Sequence, residues 1–335
     1  MKYVILGGVA AGTKAAAKLK RLDRKAEVKI FTKSRDISYA GCGLPYYIGG
    51  DIPTREELIV NSPEKYAGMT GAQVETGCEA VGIDSGKKLV SVRTEDGSVF
   101  EESYDKLIIA TGAAPFVPDV EGVSLAGVFC VRTPDDAVAI RAYAEKNNCR
   151  RAVVCGAGFI GLEVAENLLS LKMDVTVIDA ASQIMPNAFD EEMAGYAKKQ
   201  LKASGMRILT SAALKGIGGE GHVERVTIDN GVLTADLVIL AIGVRPATGF
   251  LEGCGLEMFK GTILVDENLK TNLPDVYAAG DCAMVVNALT GKRQWSAMGS
   301  TANLAARAMA KGFYGAGKGY GGCFGTGVVR LLPTL

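Results

Sequence analysis

The sequence has a single histidine, His222, in the polar stretch "GGEGHVER". That context suits a solvated hairpin, so histidine triads and histidine metal sites are poor candidates. Eight cysteines are present (Cys42, Cys78, Cys130, Cys149, Cys155, Cys254, Cys282 and Cys323), yet none forms a CxxC pair or a regular framework. Free thiols in a reducing, cytoplasmic setting are the simplest expectation. No apolar run is long enough to span a bilayer. The opening "MKYVILGGVAAG" breaks into glycines with no cleavage-like region, unlike a signal peptide. Charge of neither sign is in excess: 37 Lys and Arg face 37 Asp and Glu. That removes the electrostatic case for nucleic acid or an anionic membrane surface.

Glycine, by contrast, is plentiful, with 42 among 335 residues. The length allows two domains, and the glycine suits an α/β protein with tight turns around phosphates. "KYVILGG", "VAAGTKAAAKLKRLD" and "EVKIFT" read as strand, helix and strand. Their turn runs Gly7-Gly8-Val9-Ala10-Ala11-Gly12. Measured against GxGxxG it keeps the outer glycines but has Val9 in the middle. The acidic residue that would hold a ribose at the end of the second strand is absent; Thr32 stands there, followed by Lys33. Taken alone, this segment is equally compatible with a plain glycine turn.

The second such segment, "RRAVVCGAGFIGLEVAENLLSLKMDVTVID", is complete. It carries Gly156, Gly158, Phe159, Ile160 and Gly161 in full GxGxxG spacing, then a helix, then a strand ending in Asp179. Glycines let the backbone approach a pyrophosphate, and the helix N-terminus offers amides and a positive dipole. The Asp179 carboxylate accepts from a ribose 2′-hydroxyl and repels a 2′-phosphate, which favours NADH over NADPH. "YDKLIIATGAAP" and "ADLVILAIGVRP" look alike, and each follows one fingerprint, so they read as corresponding strands of two similar units. "TNLPDVYAAGDCA" ends a further strand in Gly280-Asp281, where a carboxylate could meet a polyol or simply cap a turn. The order suggests one nucleotide domain inserted into another, crossing at 114–123 and 243–250.

These stretches, with "ISYAGCGLPYYIGG" between them, resemble the FAD-dependent pyridine nucleotide–disulfide oxidoreductases, within them the single-cysteine branch of CoA-disulfide reductases and NADH oxidases. The resemblance covers nearly the whole chain, and its most specific part runs from Ser38 to Tyr46. It implies an α/β fold of two Rossmann-like dinucleotide-binding domains of the three-layer ββα type, the NAD domain inserted into the FAD domain. The expected boundaries are 1–115 and 247–325 for FAD, 116–246 for NAD(H), and 326–335 for the truncated start of a dimerisation domain. FAD would be held by Gly7, Val9, Ala10, Ala11, Gly12, Thr32, Lys33, Cys42, Val81, Thr111, Gly112, Gly280 and Asp281, with Ala302 and Asn303 on the helix of "MGSTANLAARA". NADH would be held by Gly156, Gly158, Phe159, Ile160, Gly161, Glu163, Asp179 and Gly243.

The resemblance makes Cys42 the redox-active thiol, with Ser38 beside it in the catalytic motif. No cysteine stands at the CxxxxC distance of an internal dithiol, so the partner sulfur or oxygen must be external: coenzyme A or another small thiol in a mixed disulfide, or oxygen in a sulfenic acid. Lys14, Lys18 and Arg21 recur at helical spacing and could bind the phosphates of coenzyme A or form a solvated face; the resemblance favours the first, with Ser38 completing the substrate site. Gly41 stands where such a reductase can carry asparagine. Peroxidase relatives carry histidine at the position of Ala10, so a CoA-disulfide or persulfide reductase is expected ahead of an NADH oxidase or peroxidase. A third reading, of a different class, is an inactive nucleotide-binding fragment, because relatives form homodimers through a C-terminal domain.

Overall fold

The computed structural model describes residues 1–329, and the expected start of a dimerisation domain at 326–335 lies largely outside them. The chain divides into two compact units. One comprises 1–39, 59–114 and 245–327; the other takes 40–58 and 115–244.

The first unit is built on a five-stranded parallel sheet, in the order Val276–Ala278, Lys106–Ile109, Lys2–Leu6, Glu27–Thr32, Gln73–Thr76. Its central strands are continuous apolar runs because both faces are covered. Val4, Ile5, Ile30 and Ile108 are wholly buried. Helix α1 (Ala10–Leu22) covers one face with small residues: Ala11, Gly12, Ala15 and Ala16 are buried. It packs beside α7 (Gly299–Gly312), which buries Ala302, Ala305, Ala306 and Ala310. On the other side lies the antiparallel sheet of Cys78–Asp84, Leu89–Thr94 and Val99–Ser103, whose Val90 and Val92 join the same core. The layers are thus sheet, sheet and helices. A third helix, α3 (Pro63–Thr70), starts at Ser62, whose hydroxyl accepts the Lys65 N–H at 3.2 Å, and stops at Gly71 in the left-handed region.

The second unit repeats the plan. Its parallel sheet runs Arg207–Leu209, Asp174–Ile178, Arg151–Cys155, Leu237–Leu240, Val128–Cys130. The antiparallel sheet Leu214–Gly218, Arg225–Ile228, Gly231–Thr234 completes its core. Helix α5 (Phe159–Ser170) follows the glycine turn, α4 (Pro134–Lys146) begins with a capping box between Thr133 and Asp136, and α6 (Glu191–Ala203) begins after Asp190, whose carboxylate accepts the Met193 N–H at 2.9 Å. His222 lies exposed in the turn before Arg225, with Nδ1 3.0 Å from the Glu220 carbonyl.

The chain passes from one unit to the other at Tyr39–Ala40, Leu58–Ile59, Ala114–Pro115 and Val244–Arg245. The segment 40–58, which the sequence reading assigned to the first domain, instead groups with the second unit. The reason is its short helix α2 (Leu44–Gly49), which packs on α5 and α4. A Cβ at Gly49 would lie 2.2 Å from Asn167 Oδ1, so only glycine permits the approach. Arg141 donates to the carbonyls of Tyr47 (3.4 Å) and Pro53 (3.3 Å), and Arg55 pairs with Asp135 at 2.8 Å. No helix is long and apolar enough to cross a membrane among the described residues.

Candidate active site

The first glycine turn closes because two of its residues have no side chain. Gly7 adopts φ +112°, and a Cβ there would lie 2.1 Å from the Ala110 carbonyl oxygen. A Cβ on Gly12 would lie 1.8 Å from the Gly7 carbonyl oxygen. The middle position makes no such demand: Val9 sits at φ −104° and tolerates its side chain. Helix α1 then starts at Ala10 with no side-chain cap and no acidic residue in its first turn. Its first amides therefore face outward as donors for an anion.

Three further features converge here at the carboxyl ends of the parallel strands. Among the described residues the buried Thr111 hydroxyl has no hydrogen-bond partner, and Gly112 beside it takes φ +72°. Gly280, at φ +88°, lies against the first turn of α1 and against α7, its Cβ position 3.1 Å from Ala11 Cβ and 3.7 Å from Ala302 Cβ. Asp281 follows it, and its carbonyl accepts the Trp295 indole N–H at 2.7 Å. Thr32 is buried at the end of its strand, and Lys33 pairs with Glu79 at 3.0 Å. A bulge between Ala80 and Gly82 leaves Val81 out of the ladder. Its peptide groups are free of strand pairing there.

In the same unit, a cavity of about 850 Å³ opens along α1. Lys14, Arg21, Arg24, Ser38, Asn61 and Asn303 are among its walls. Of the three cations expected on this face, Lys14 and Arg21 line the cavity and Lys18 does not. The helix presents Ala10, Thr13, Lys14, Ala17, Lys20 and Arg21, a 3.6-residue stripe that Lys18 flanks, and Arg24 follows just past its end. Lys20, missed in the sequence, reaches forward to the carbonyls of Arg24 (2.8 Å) and Ala26 (2.9 Å), just past the end of the helix. Tyr66 floors the cavity, donating to the Thr13 carbonyl; burial pushes its phenol up. Ser38 holds φ +50°, donates its N–H to the Gly8 carbonyl at 3.0 Å, and accepts from Asn61 Nδ2 at 3.5 Å. Asn61 was not legible in the sequence, since nothing local marks it.

The second unit presents its own turn. A Cβ on Gly156 (φ +109°) would lie 2.3 Å from the Ala241 carbonyl oxygen, and one on Gly161 would lie 1.9 Å from the Gly156 carbonyl oxygen. Gly158 differs: a Cβ there meets nothing within 4 Å, so the glycine leaves open space beside the turn. Helix α5 starts uncapped and without first-turn acids. Phe159 and Ile160 are exposed on that first turn, and Gly243 stands at φ +124°. Asp179 accepts from the N–H of Ala157 (2.7 Å) and of Ala181 (2.8 Å), which fixes its carboxylate at the turn. One turn into α5, burial and then Glu166 push the Glu163 carboxyl up to about 7.

Cys42 also belongs to this unit. It sits in the single turn Gly41–Gly43 that leads into α2 and is exposed. The other seven cysteines are free and buried or half-buried. Burial pushes the thiols of Cys155 and Cys282 up to about 12 and about 11, and those of Cys78, Cys130 and Cys149 upward as well. A Cβ at Gly41 would meet nothing, so that position tolerates a larger residue. Asn167, whose side chain contacts the Gly49 position, donates to the Glu163 carbonyl at 2.8 Å. The support under the Cys42 segment is therefore continuous with the second turn's helix. Among the described residues no cluster of three His, Cys, Asp or Glu side chains is placed to hold a metal ion.

The family model described as pyridine nucleotide-disulphide oxidoreductase matches residues 1–312. The chain is 38% identical over 332 residues to an NAD(P)H sulfur oxidoreductase (CoA-dependent) of Pyrococcus abyssi, covering 98% of this chain and 73% of that protein. It is 37% identical over 302 residues to an NADH oxidase of Methanocaldococcus jannaschii, covering 90% and 67% respectively. The solved NAD-dependent persulfide reductase of A. fulgidus superposes with a TM-score of 0.95 at 34% identity, over 99% of this chain and 62% of that one. The chain thus spans less than two thirds of that structure's length.

Proposed function

The chain belongs to the pyridine nucleotide-disulphide oxidoreductase family, and from that premise we propose that it uses NADH and FAD to reduce a disulfide or persulfide of coenzyme A at Cys42. The observation that carries the reading is Cys42 itself: the exposed thiol among eight, four residues along the chain from Ser38, a wall of the cation-bordered cavity.

The first fold suits FAD. Ala10, Ala11 and Gly12 offer backbone amides to a pyrophosphate, the Thr111 hydroxyl, unpartnered among the described residues, is a donor awaiting an acceptor, and Gly280 and Asp281 border the same strand ends. The second fold suits NADH: open space at Gly158 admits a pyrophosphate, and Asp179 offers its carboxylate to a ribose while disfavouring a 2′-phosphate. FAD, when bound, supplies the two-electron relay between a hydride donor and a sulfur acceptor.

The chain's own residues do the rest. The Cys42 thiolate attacks one sulfur of the substrate, forming a mixed disulfide and expelling a coenzyme A thiolate, or hydrosulfide if the substrate is a persulfide. Two electrons from NADH and one proton then return Cys42 to its thiolate and release the second thiol. Lys14, Arg21 and Arg24 neutralise the substrate's phosphates along α1, and Ser38 and Asn61 line the cavity as polar contacts. The thiol chemistry requires a reducing compartment, as in the cytosol.

The similarity to an NADH oxidase supports a second reading, in which peroxide oxidises Cys42 to a sulfenic acid and NADH returns it to the thiol and water. Steady-state turnover separates the two. Wild type should oxidise NADH with CoA disulfide or CoA persulfide far faster than with oxygen. Cys42→Ser should lose that turnover by about 1,000-fold while NADH still reduces the flavin. Undiminished disulfide turnover in the variant would remove Cys42 from the mechanism.

A further inference from the structure

The two glycine turns share one backbone plan, and one position separates them. Gly7 N–H bonds the Phe31 carbonyl and Gly156 N–H bonds the Ile178 carbonyl, both at 2.8 Å, so the next residues, Thr32 and Asp179, are equivalent. Downstream, Ser38 (φ 50°) donates to the Gly8 carbonyl at 3.0 Å and Met185 (φ 49°) to the Ala157 carbonyl at 2.9 Å, which makes Gly8 and Ala157 equivalent too. In the second turn, Asp179 ties its carboxylate to the Ala157 N–H. In the first, Thr32 instead lays Cγ2 and Cβ against Gly8, 3.1 and 3.2 Å from the Cβ position there. The next side chain is a cation: Lys33, whose partner Glu79 is shared with Arg93 at 3.4 Å.

We propose that Thr32 makes the first turn a loose ribose anchor, so that this chain holds FAD weakly enough to exchange it with free FAD. An ionised carboxylate accepts from both vicinal hydroxyls of a ribose, and such charge-assisted bonds are about twice as strong as neutral ones. A threonine offers one hydroxyl and a methyl in its place. The pyrophosphate contacts of the turn remain, so binding persists but without the grip that Asp179 gives the second turn. The inference rests on reading the first fold as the FAD site.

The test is titration of the flavin-stripped chain with FAD, followed by flavin fluorescence. Thr32→Glu, or Thr32→Asp as a transplant from the second turn, should lower the FAD Kd tenfold or more, by about the value of one charge-assisted pair. Thr32→Gln, similar in shape and uncharged, should change it less than threefold. Asp179→Thr should loosen NADH by a similar factor and leave FAD unmoved. Acidic variants that unfold at the wild-type temperature yet bind FAD within twofold of wild type would overturn the inference while sparing the FAD site. So would a wild-type Kd of nanomolar or tighter, whatever the variants do. A chain that takes up no FAD at any concentration, variant or not, would end both readings.

Discussion

At the scale of single residues, burial sorts the titratable groups. The thiols pushed upward by burial are poor nucleophiles at neutral pH, and the exposed Cys42 is the one open to reagents. Glu163 is the acid displaced furthest from its range: the folded chain holds its proton up to about pH 7, against 4.5 for the free group. Its sign follows from linkage. A carboxyl with a raised folded pKa contributes stability that is fully present below about pH 4.5 and lost as pH rises through about 7. Glu163→Gln should therefore raise the unfolding temperature relative to wild type at pH 8 and leave it unchanged at pH 4.5. Parallel melting curves across that range, with a constant gap, would show that Glu163 is not the titrating group. In the sequence, Asp179 was marked by its spacing from the second glycine turn and Cys42 by the motif that carries the family resemblance. The Ser38–Asn61 contact was not, because only folding joins those residues.

At the scale of elements, the strand–turn–helix is where the sequence was most readable. Outer glycines answer backbone crowding: Gly12 and Gly161 stand under 2 Å, at their Cβ positions, from a carbonyl oxygen. The middle position answers ligand approach alone, which is why Val9 could replace glycine without spoiling the turn. The pair yields opposite expectations. Gly161→Ala should cost about 3 kcal/mol of stability, since backbone must move, and should cost NADH binding with it. Gly158→Ala should leave thermal unfolding within about 0.5 kcal/mol of wild type and still weaken NADH, since its Cβ enters the open space. Equal destabilisation by both, in denaturant unfolding, would refute the division of roles. Helical spacing placed Lys14 and Arg21 correctly on the α1 stripe but misjudged Lys18 and Lys20; a 100° step per residue leaves edge positions undecided until neighbours are known.

At the scale of the whole chain, the insertion of one dinucleotide fold within another was visible from motif order. The placement of 40–58 was not, because it depends on Gly49 meeting Asn167 across a long stretch of sequence. Each unit should respond to its own cofactor. In hydrogen exchange, FAD should slow amides of residues 7–12 in the first unit, and NADH those of 156–161 in the second. Protection of both turns by NADH alone would contradict the assignment. The relatives extend beyond the span shared with this chain, so turnover is a property to measure on this chain rather than to borrow.

The most direct measurement is a native mass spectrum of the FAD-reconstituted protein after exposure to CoA disulfide, with and without reductant, for wild type and Cys42→Ser. The account predicts one FAD per chain and a CoA-sized adduct on wild type that reductant removes and the variant lacks. An adduct that persists in Cys42→Ser, or a flavin-bearing chain whose only mass gain is oxygen, would contradict it.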